Sequence, residues 1–414
     1  MKEKAGLNRL LVYLMAFGAV FITVSMVKYP EIAFSSAIRG LKLWWDIVFP
    51  ALLPFFILSE ILMALGVVHF MGVFLEPLMR PLFNVPGVGS FVMAMGLASG
   101  YPIGAILTAK MRRQNLCNQS EGERLMSCAN TADPLFMVGA VAVGMFGNQK
   151  LGITIAVAHY VSSLTVGLVM RFYRPRDPIT KLEQDTKGNV VGRAFRALYK
   201  ARQDDGRPLG QLMGDAIRQS VNNLLAVGGF IILFSVFIQI LRAVGLVKYI
   251  ALALAALFRP LGVADSMFEA VTGGLFEITL GAQMAAQAAA PLSQRLMVAG
   301  GIIAWSGLSV HAQVASMING TDLRMGPYIA ARFLHALLAG GITALLLGPG
   351  GSYVSAFAGS GLLTSNATAS WGNWLLVWQY MGVKFLIITA LLAFTTLCYV
   401  TVRRLRGLRV RIIR

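Results

Sequence analysis

Residues 96–147 read GLASGYPIGAILTAKMRRQNLCNQSEGERLMSCANTADPLFMVGAVAVGMFG, and this stretch decides the fold. It is apolar enough for lipid, yet it is interrupted at Ser99-Gly100-Tyr101-Pro102 and again at Asn130-Thr131-Ala132-Asp133-Pro134. Irregular backbone at membrane depth is tolerated only where protein or a water-filled cavity surrounds it. Two interrupted segments in corresponding halves of a chain point to a transporter's binding site. The second half supplies the counterpart at residues 274–319.

Composition agrees. Of 414 residues 57% are hydrophobic and 13% charged, against roughly 25% charged in a soluble domain, so an all-α polytopic membrane protein is expected. The net charge of +18 does not indicate nucleic acid, because Lys and Arg fall between and after the apolar runs, as in cytosolic loops. Cys117, Cys128 and Cys398 are widely spaced and have no zinc-type spacing, so small buried residues are expected. No metal and no cofactor are expected.

Working outward, residues 1–29 read as an uncleaved first transmembrane helix. Residues 30–49, with Trp44 and Trp45 beside Arg39, Lys42 and Asp46, read as a helix in the membrane interface. A second span covers about 50–70 and holds Glu60, and the proline-rich segment after it reads as lying along the surface. Residues 87–113 are too short for two crossings and break in the middle, which predicts a re-entrant hairpin. Gly100 and Pro102 suit its tip, since one tolerates unusual dihedrals and the other cannot donate to a helix. A broken helix is expected at about 120–146, closing a first repeat over 30–172. Residues 173–208 read as a basic cytosolic linker: 171–207 hold ten Lys/Arg against five Asp/Glu.

The second repeat, 209–348, echoes the first in order. Leu62-Met-Ala-Leu-Gly66 is answered by Leu241-Arg-Ala-Val-Gly245, Arg80-Pro-Leu82 by Arg259-Pro-Leu261, Gly96 and Gly104 by Gly274 and Gly281, and Arg124-Leu-Met126 by Arg295-Leu-Met297. Its hairpin is expected at about 264–290 and its broken helix at about 292–319. An uncharged 349–371 reads as an extracytosolic loop, and 372–414 as a last helix with a tail of six arginines. With both termini cytosolic, the first hairpin enters from inside and the second from outside, so the repeats are inverted. Arg242, Lys248 and Arg259 fall on the wrong side of this topology.

Ionisable groups inside a membrane are costly and are functional candidates. Asp133 and Glu277 sit at breaks and, with Glu60, are the candidates for ion or proton coupling. Capping of a half-helix is the structural alternative for both break carboxylates. Ser99, Gly100, Tyr101, Asn130, Thr131, Thr279, Ser306, Ser309, His311 and Gln313 are the candidate substrate-binding residues. His69, His159 and His335 have no companions in sequence and receive no role. Half-helix N-termini suit a carboxylate substrate. No Walker A, HExxH or GxSxG pattern occurs, so neither direct ATP drive nor an enzyme is expected.

Ser99-Gly-Tyr-Pro-Ile-Gly104, Asn130-Thr-Ala-Asp-Pro-Leu-Phe136 with Gly139-Ala-Val-Ala-Val-Gly144, and Gly307-Leu-Ser-Val-His-Ala-Gln313 resemble the YlbJ family of sporulation integral membrane proteins of endospore formers. That family carries nucleoside-recognition Gate domains similar to parts of concentrative nucleoside transporters. The resemblance implies elevator-like movement of hairpins and broken helices. It further implies a place in the mother-cell-derived outer forespore membrane, passing dipicolinate, a small aromatic dicarboxylate, towards the spore. Transporters of the resembled kind are often homo-oligomers. Two alternatives stay open: a nucleoside transporter, and a non-transporting scaffold for spore assembly.

Overall fold

The computed structural model describes residues 2–180, 189–259 and 262–347; the expected loop at 349–371, the last helix with its basic tail, and Cys398 lie outside them. Helix α1 (Lys2–Lys28) turns by 104° into α2 (Pro30–Leu43). Wide π-type turns at Trp44–Val48 lead into α3 (Phe49–Ala64). Gly66 then takes the left-handed conformation at φ 82°, and α4 (Val67–Phe83) leaves at 80° to α3. Gly245 repeats this device at φ 81°, between α10 (Leu209–Ala243) and α11 (Leu246–Phe258). The two matched sequence motifs thus make the same turn, one that glycine adopts without steric cost.

Each half then folds as a helical hairpin followed by a broken helix. The first hairpin is α5 (Gly89–Ser99) and α6 (Ile103–Arg113). Its broken helix is α7 (Gln119–Ala129), a non-helical link, and a wide π-type helix over Leu135–Met145. Helix α8 (Lys150–Met170) follows, and α9 (Val190–Asp205) lies within the basic segment and packs on α4. The second hairpin is α12 (Asp265–Phe276) with α13 (Ile278–Gln287), and its broken helix is α14 (Leu292–Trp305) with α15 (Gly307–Met317). Helix α16 (Met325–Leu347) packs on α14 and α8.

Side-chain contacts give the relative direction of the halves. At the open end of the first hairpin, Arg113 donates to the carbonyls of Met317 and Asn319, where α15 ends, and Arg112 pairs with Asp322 at 2.7 Å. At the open end of the second hairpin, Arg295 donates to the Ala286 carbonyl and lies 5.4 Å from the Phe146 ring, where the wide helix ends. The two broken helices therefore run antiparallel, and the hairpins enter from opposite ends. The repeats are inverted.

The surface chemistry is that of a membrane protein. Helix α16 buries Tyr328, Arg332 and His335 while exposing Phe333, Leu337 and Leu345, the reverse of a soluble helix. Among the described residues four helical spans are long and apolar enough to cross a bilayer, or up to six if each bent pair is one crossing. The chain is an integral, multi-pass membrane protein.

One local expectation needs correction. Trp44 does not offer its indole to the headgroups: it is buried, and its indole N–H donates to the Leu224 carbonyl of α10 at 3.0 Å. Gly228 makes the room, since a Cβ there would meet the indole at 2.6 Å. Trp45 stays exposed.

Candidate functional site

The first hairpin tip meets the first helix break because glycines let backbones touch. A Cβ on Gly96 or Gly104 would run into the Ala129 carbonyl, and one on Gly100 would lie 2.6 Å from an Asp133 carboxylate oxygen. Gly100 has φ 78°, so only glycine fits both conformation and space. Asp133 accepts a hydrogen bond from the Phe136 N–H at 2.8 Å, closing the N-terminus of the wide helix. Asn130 accepts from the Ala105 N–H at 3.3 Å and donates to the Tyr328 hydroxyl at 2.8 Å. Tyr101 reaches across to the other half, donating to the Ile303 carbonyl at 3.1 Å. Ser99 is buried, and its hydroxyl has no partner.

The second tip repeats the arrangement with the acid moved. Here Glu277 belongs to the hairpin and accepts from the N–H groups of Thr279 (3.0 Å) and Leu280 (2.7 Å), capping α13. A Cβ on Gly307 would lie 3.1 Å from the Glu277 Cα, and one on Gly281 would collide with Gly274. Ser306 adopts φ 71° at the break, and the Trp305 indole donates to the Leu275 carbonyl at 3.2 Å. His311 is buried, its Nδ1 2.7 Å from the Gly307 carbonyl, with its ring centroid 4.5 Å from that of Trp305 and 5.4 Å from that of Tyr328. Its Nε2 has no partner. Ser309 and Gln313 are buried on α15, and the Thr279 side chain is half-buried.

Glu60 does not join this group. It pairs with Lys110 at 2.5 Å, and both line a cavity of about 610 Å³ with Arg113, Arg207, Asp215 and Arg218. At the same end of the molecule the Arg112 guanidinium, hydrogen-bonded to Asp322, holds that carboxyl below the usual carboxylate range.

Three central residues received no role from the sequence. Arg332 is wholly buried and donates to the carbonyls of Asn130 (2.8 Å) and Ser127 and to the Tyr101 hydroxyl (3.3 Å). Its guanidinium lies 5.4 Å from the Tyr328 ring centroid, and its Nε has no partner. Among the described residues no carboxylate pairs with it. His159 and His335, which lack companions in sequence, in fact touch: their ring centroids are 4.6 Å apart, and His335 Nε2 is 3.0 Å from the His159 carbonyl. His159 Nε2 in turn meets the Thr131 hydroxyl at 2.5 Å and the Ala132 N–H at 3.2 Å. The signal for Arg332 was present, a lone arginine in an apolar 23-residue helix. The histidine contact joins positions 176 residues apart, and nothing in their spacing announces it.

The breaks, both tips and α16 thus bring Tyr101, Asn130, Ser306, His311, Tyr328 and Arg332 to one junction between the halves, with Thr131 attached through His159. Such a junction can recognise an anion: a buried charge lacking a counter-ion is costly and favours a ligand that supplies one. Among the described residues no group of three His, Cys, Asp or Glu side chains could hold a metal ion.

The sequence matches the Gate family, described as nucleoside recognition, over residues 46–183 and 224–321. It is 43% identical over 345 residues to the sporulation integral membrane protein YlbJ of Bacillus subtilis (strain 168), covering 83% of this chain and 85% of that protein. Among solved structures, a CNTnw variant in an intermediate state aligns with a TM-score of 0.47 at 16% identity, over 81% of this chain and 88% of that one. CNTnw in an inward-facing, substrate-bound state aligns at 0.41 and 15% identity, over 80% and 86%. The sequence matches show the family: the chain belongs to the Gate, or nucleoside recognition, family, and within it to the family of the sporulation integral membrane protein YlbJ.

Proposed function

We propose that the protein carries a small aromatic dicarboxylate, dipicolinate, across the outer forespore membrane by alternating access around the junction of the two halves. The observation that carries this reading is Arg332. A guanidinium taken out of water without a counter-ion costs several kcal/mol even after relaxation. A carboxylate accepting from it in a bidentate fork would offset that cost. The surrounding rings of Tyr101, Trp305, His311 and Tyr328 suit a flat aromatic ligand. A nucleoside, the competing substrate, carries no charge to balance Arg332.

The glycine contacts support movement of each hairpin with its own broken helix. Gly96 and Gly104 weld the first tip to Ala129, and Gly274 packs the second against Ile302, whereas α2 and α3 pack on the long α10. In this reading the first set forms the moving parts and the second the frame. Asp133 and Glu277 already accept backbone N–H bonds at the breaks, so in this reading they cap the half-helices and hold the tips. The cationic end bearing Lys110, Arg112, Arg113 and Arg174 faces the cytosol, by the positive-inside bias.

A ligand that binds only the folded protein raises its melting temperature in proportion to the logarithm of its concentration. Dipicolinate is expected to raise the melting temperature of the purified protein with that logarithmic dependence, and uridine not to. The opposite ranking would overturn the anion reading in favour of a nucleoside. No response to either would leave the scaffold reading.

A further inference from the structure

The buried histidine pair lies outside the substrate contacts, yet hydrogen-bond bookkeeping gives its two rings different roles. A backbone N–H only donates, so His159 Nε2, 3.2 Å from the Ala132 N–H, is the acceptor nitrogen of a neutral ring. Its proton then sits on Nδ1. A backbone carbonyl only accepts, so His335 Nε2, 3.0 Å from the His159 carbonyl, carries the proton of that ring. Two atoms are left over, both buried and without a partner: the N–H of His159 Nδ1, which can only donate, and the lone pair of His335 Nδ1, which can take a proton. Buried polar atoms without partners are uncommon in folded proteins and call for an explanation.

The same helix supplies the second half of the argument. Arg332 precedes His335 by three residues on α16, hence on the same face, and its Nε is also buried without a partner. The other titratable or charged groups around the pair are few. The break contributes Asp133, next to Tyr160 of α8; the first tip contributes Tyr101; and α7 contributes Cys128, whose carbonyl accepts from Ser163. Helix α14 meets α16 there through Met297, Gly300 and Gly301, which are uncharged. Among the described residues the one fixed cation facing the pair is Arg332, and like charges placed this close repel.

We infer that His335 Nδ1 is the proton site of the transport cycle, loaded when an anion sits on Arg332 and emptied when the anion leaves. This rests on the reading that Arg332 receives the substrate. The anion cancels the guanidinium charge, and the proton moves onto the open lone pair to give a doubly protonated imidazole ring. Substrate and proton then cross the membrane together, and each raises the protein's affinity for the other by the same factor. The carboxylates at the tips need not change protonation for this to happen.

The test is isothermal titration of dipicolinate into the purified full chain in two buffers of different ionisation enthalpy. The wild type is expected to take up about one proton per ligand bound, with affinity falling about tenfold per pH unit across the neutral range. His335→Gln is expected to bind dipicolinate without proton uptake and without that pH dependence. His159→Gln is expected to retain uptake, because the open lone pair is on the other ring. Binding by the wild type without proton uptake overturns the inference and leaves the anion site standing. Uptake that survives in His335→Gln, or disappears in His159→Gln, overturns the assignment to His335. Absence of dipicolinate binding by the wild type removes both this inference and the proposed function. If His335→Gln fails to fold, the wild-type buffer comparison still decides whether a proton is taken up, and His159→Gln decides between the rings.

Discussion

Arg332→Met separates a substrate role from a structural one. The change removes hydrogen bonds to the carbonyls of Asn130 and Ser127 and to the Tyr101 hydroxyl. Bonds to a charged group contribute about 1.5–3 kcal/mol each, so the loss of three costs about 4–9 kcal/mol. Against this, the variant no longer buries a cation without a counter-ion, a penalty of several kcal/mol. Methionine also fills a similar volume and adapts to irregular space. The two effects nearly cancel, and the melting temperature of the ligand-free protein is expected to change by only a few degrees. Binding has no such compensation. Losing a desolvated charge pair with the ligand costs about 2–5 kcal/mol, which is about 30-fold to several thousandfold in Kd. Calorimetric titration of wild type and variant with dipicolinate, beside their melting curves, measures both numbers. A folded Arg332→Met protein that binds dipicolinate with unchanged affinity would refute the reasoning.

Other contacts make separate predictions. Gly281→Ala places a methyl group on Gly274 across the second hairpin; overpacking of this kind costs about 1–3 kcal/mol, to be read as a lower melting temperature. Tyr328→Phe strips the partner from the buried Asn130 amide, and a destabilisation of about 1–3 kcal/mol is expected from thermal or denaturant unfolding. Glu277→Gln keeps the size of the α13 cap but replaces one of its two accepting oxygens by an NH2 group, leaving one buried backbone N–H without an acceptor, so a loss of about 1–3 kcal/mol is expected; a loss of substrate binding without loss of stability would give this carboxylate a part beyond capping. Asp322 has its folded-state pKa lowered by Arg112. Its stabilisation is therefore present above its unfolded value and disappears as pH falls through the lowered one. The melting-temperature gap between wild type and Asp322→Asn should hold from neutral pH to about 4 and close below it, and a gap that widens in acid would reverse that sign.

Much of the architecture was legible because lipid limits the choices. Apolar length, the Gly100-Tyr101-Pro102 and Asn130–Pro134 interruptions, and the order of matched motifs are properties of sequence alone. Gly66 and Gly245 show the strength of that signal, since a motif match at the level of letters became the same left-handed turn. Contacts between the halves were less legible. Trp44 looked interfacial because indoles favour headgroups, but Gly228, far along the chain, opens a slot for it. His159 and His335 looked solitary because a contact between distant positions leaves no periodicity. Arg332 was readable in principle, yet among 36 Lys and Arg residues it stood out only by its place inside an apolar helix. Capping by Asp133 and Glu277 was readable as the structural alternative at the breaks, whereas the N–H groups each one holds depend on local dihedrals that residue types do not reveal.

The central claim is that an anion crosses the membrane through the junction at Arg332. Uptake of labelled dipicolinate into liposomes holding the purified protein tests it most directly, with unlabelled uridine as competitor and Arg332→Met liposomes alongside. The account predicts saturable uptake by the wild type that uridine leaves untouched and that the variant lacks. Uptake of uridine in place of dipicolinate, or equal dipicolinate uptake by the folded variant, would contradict it.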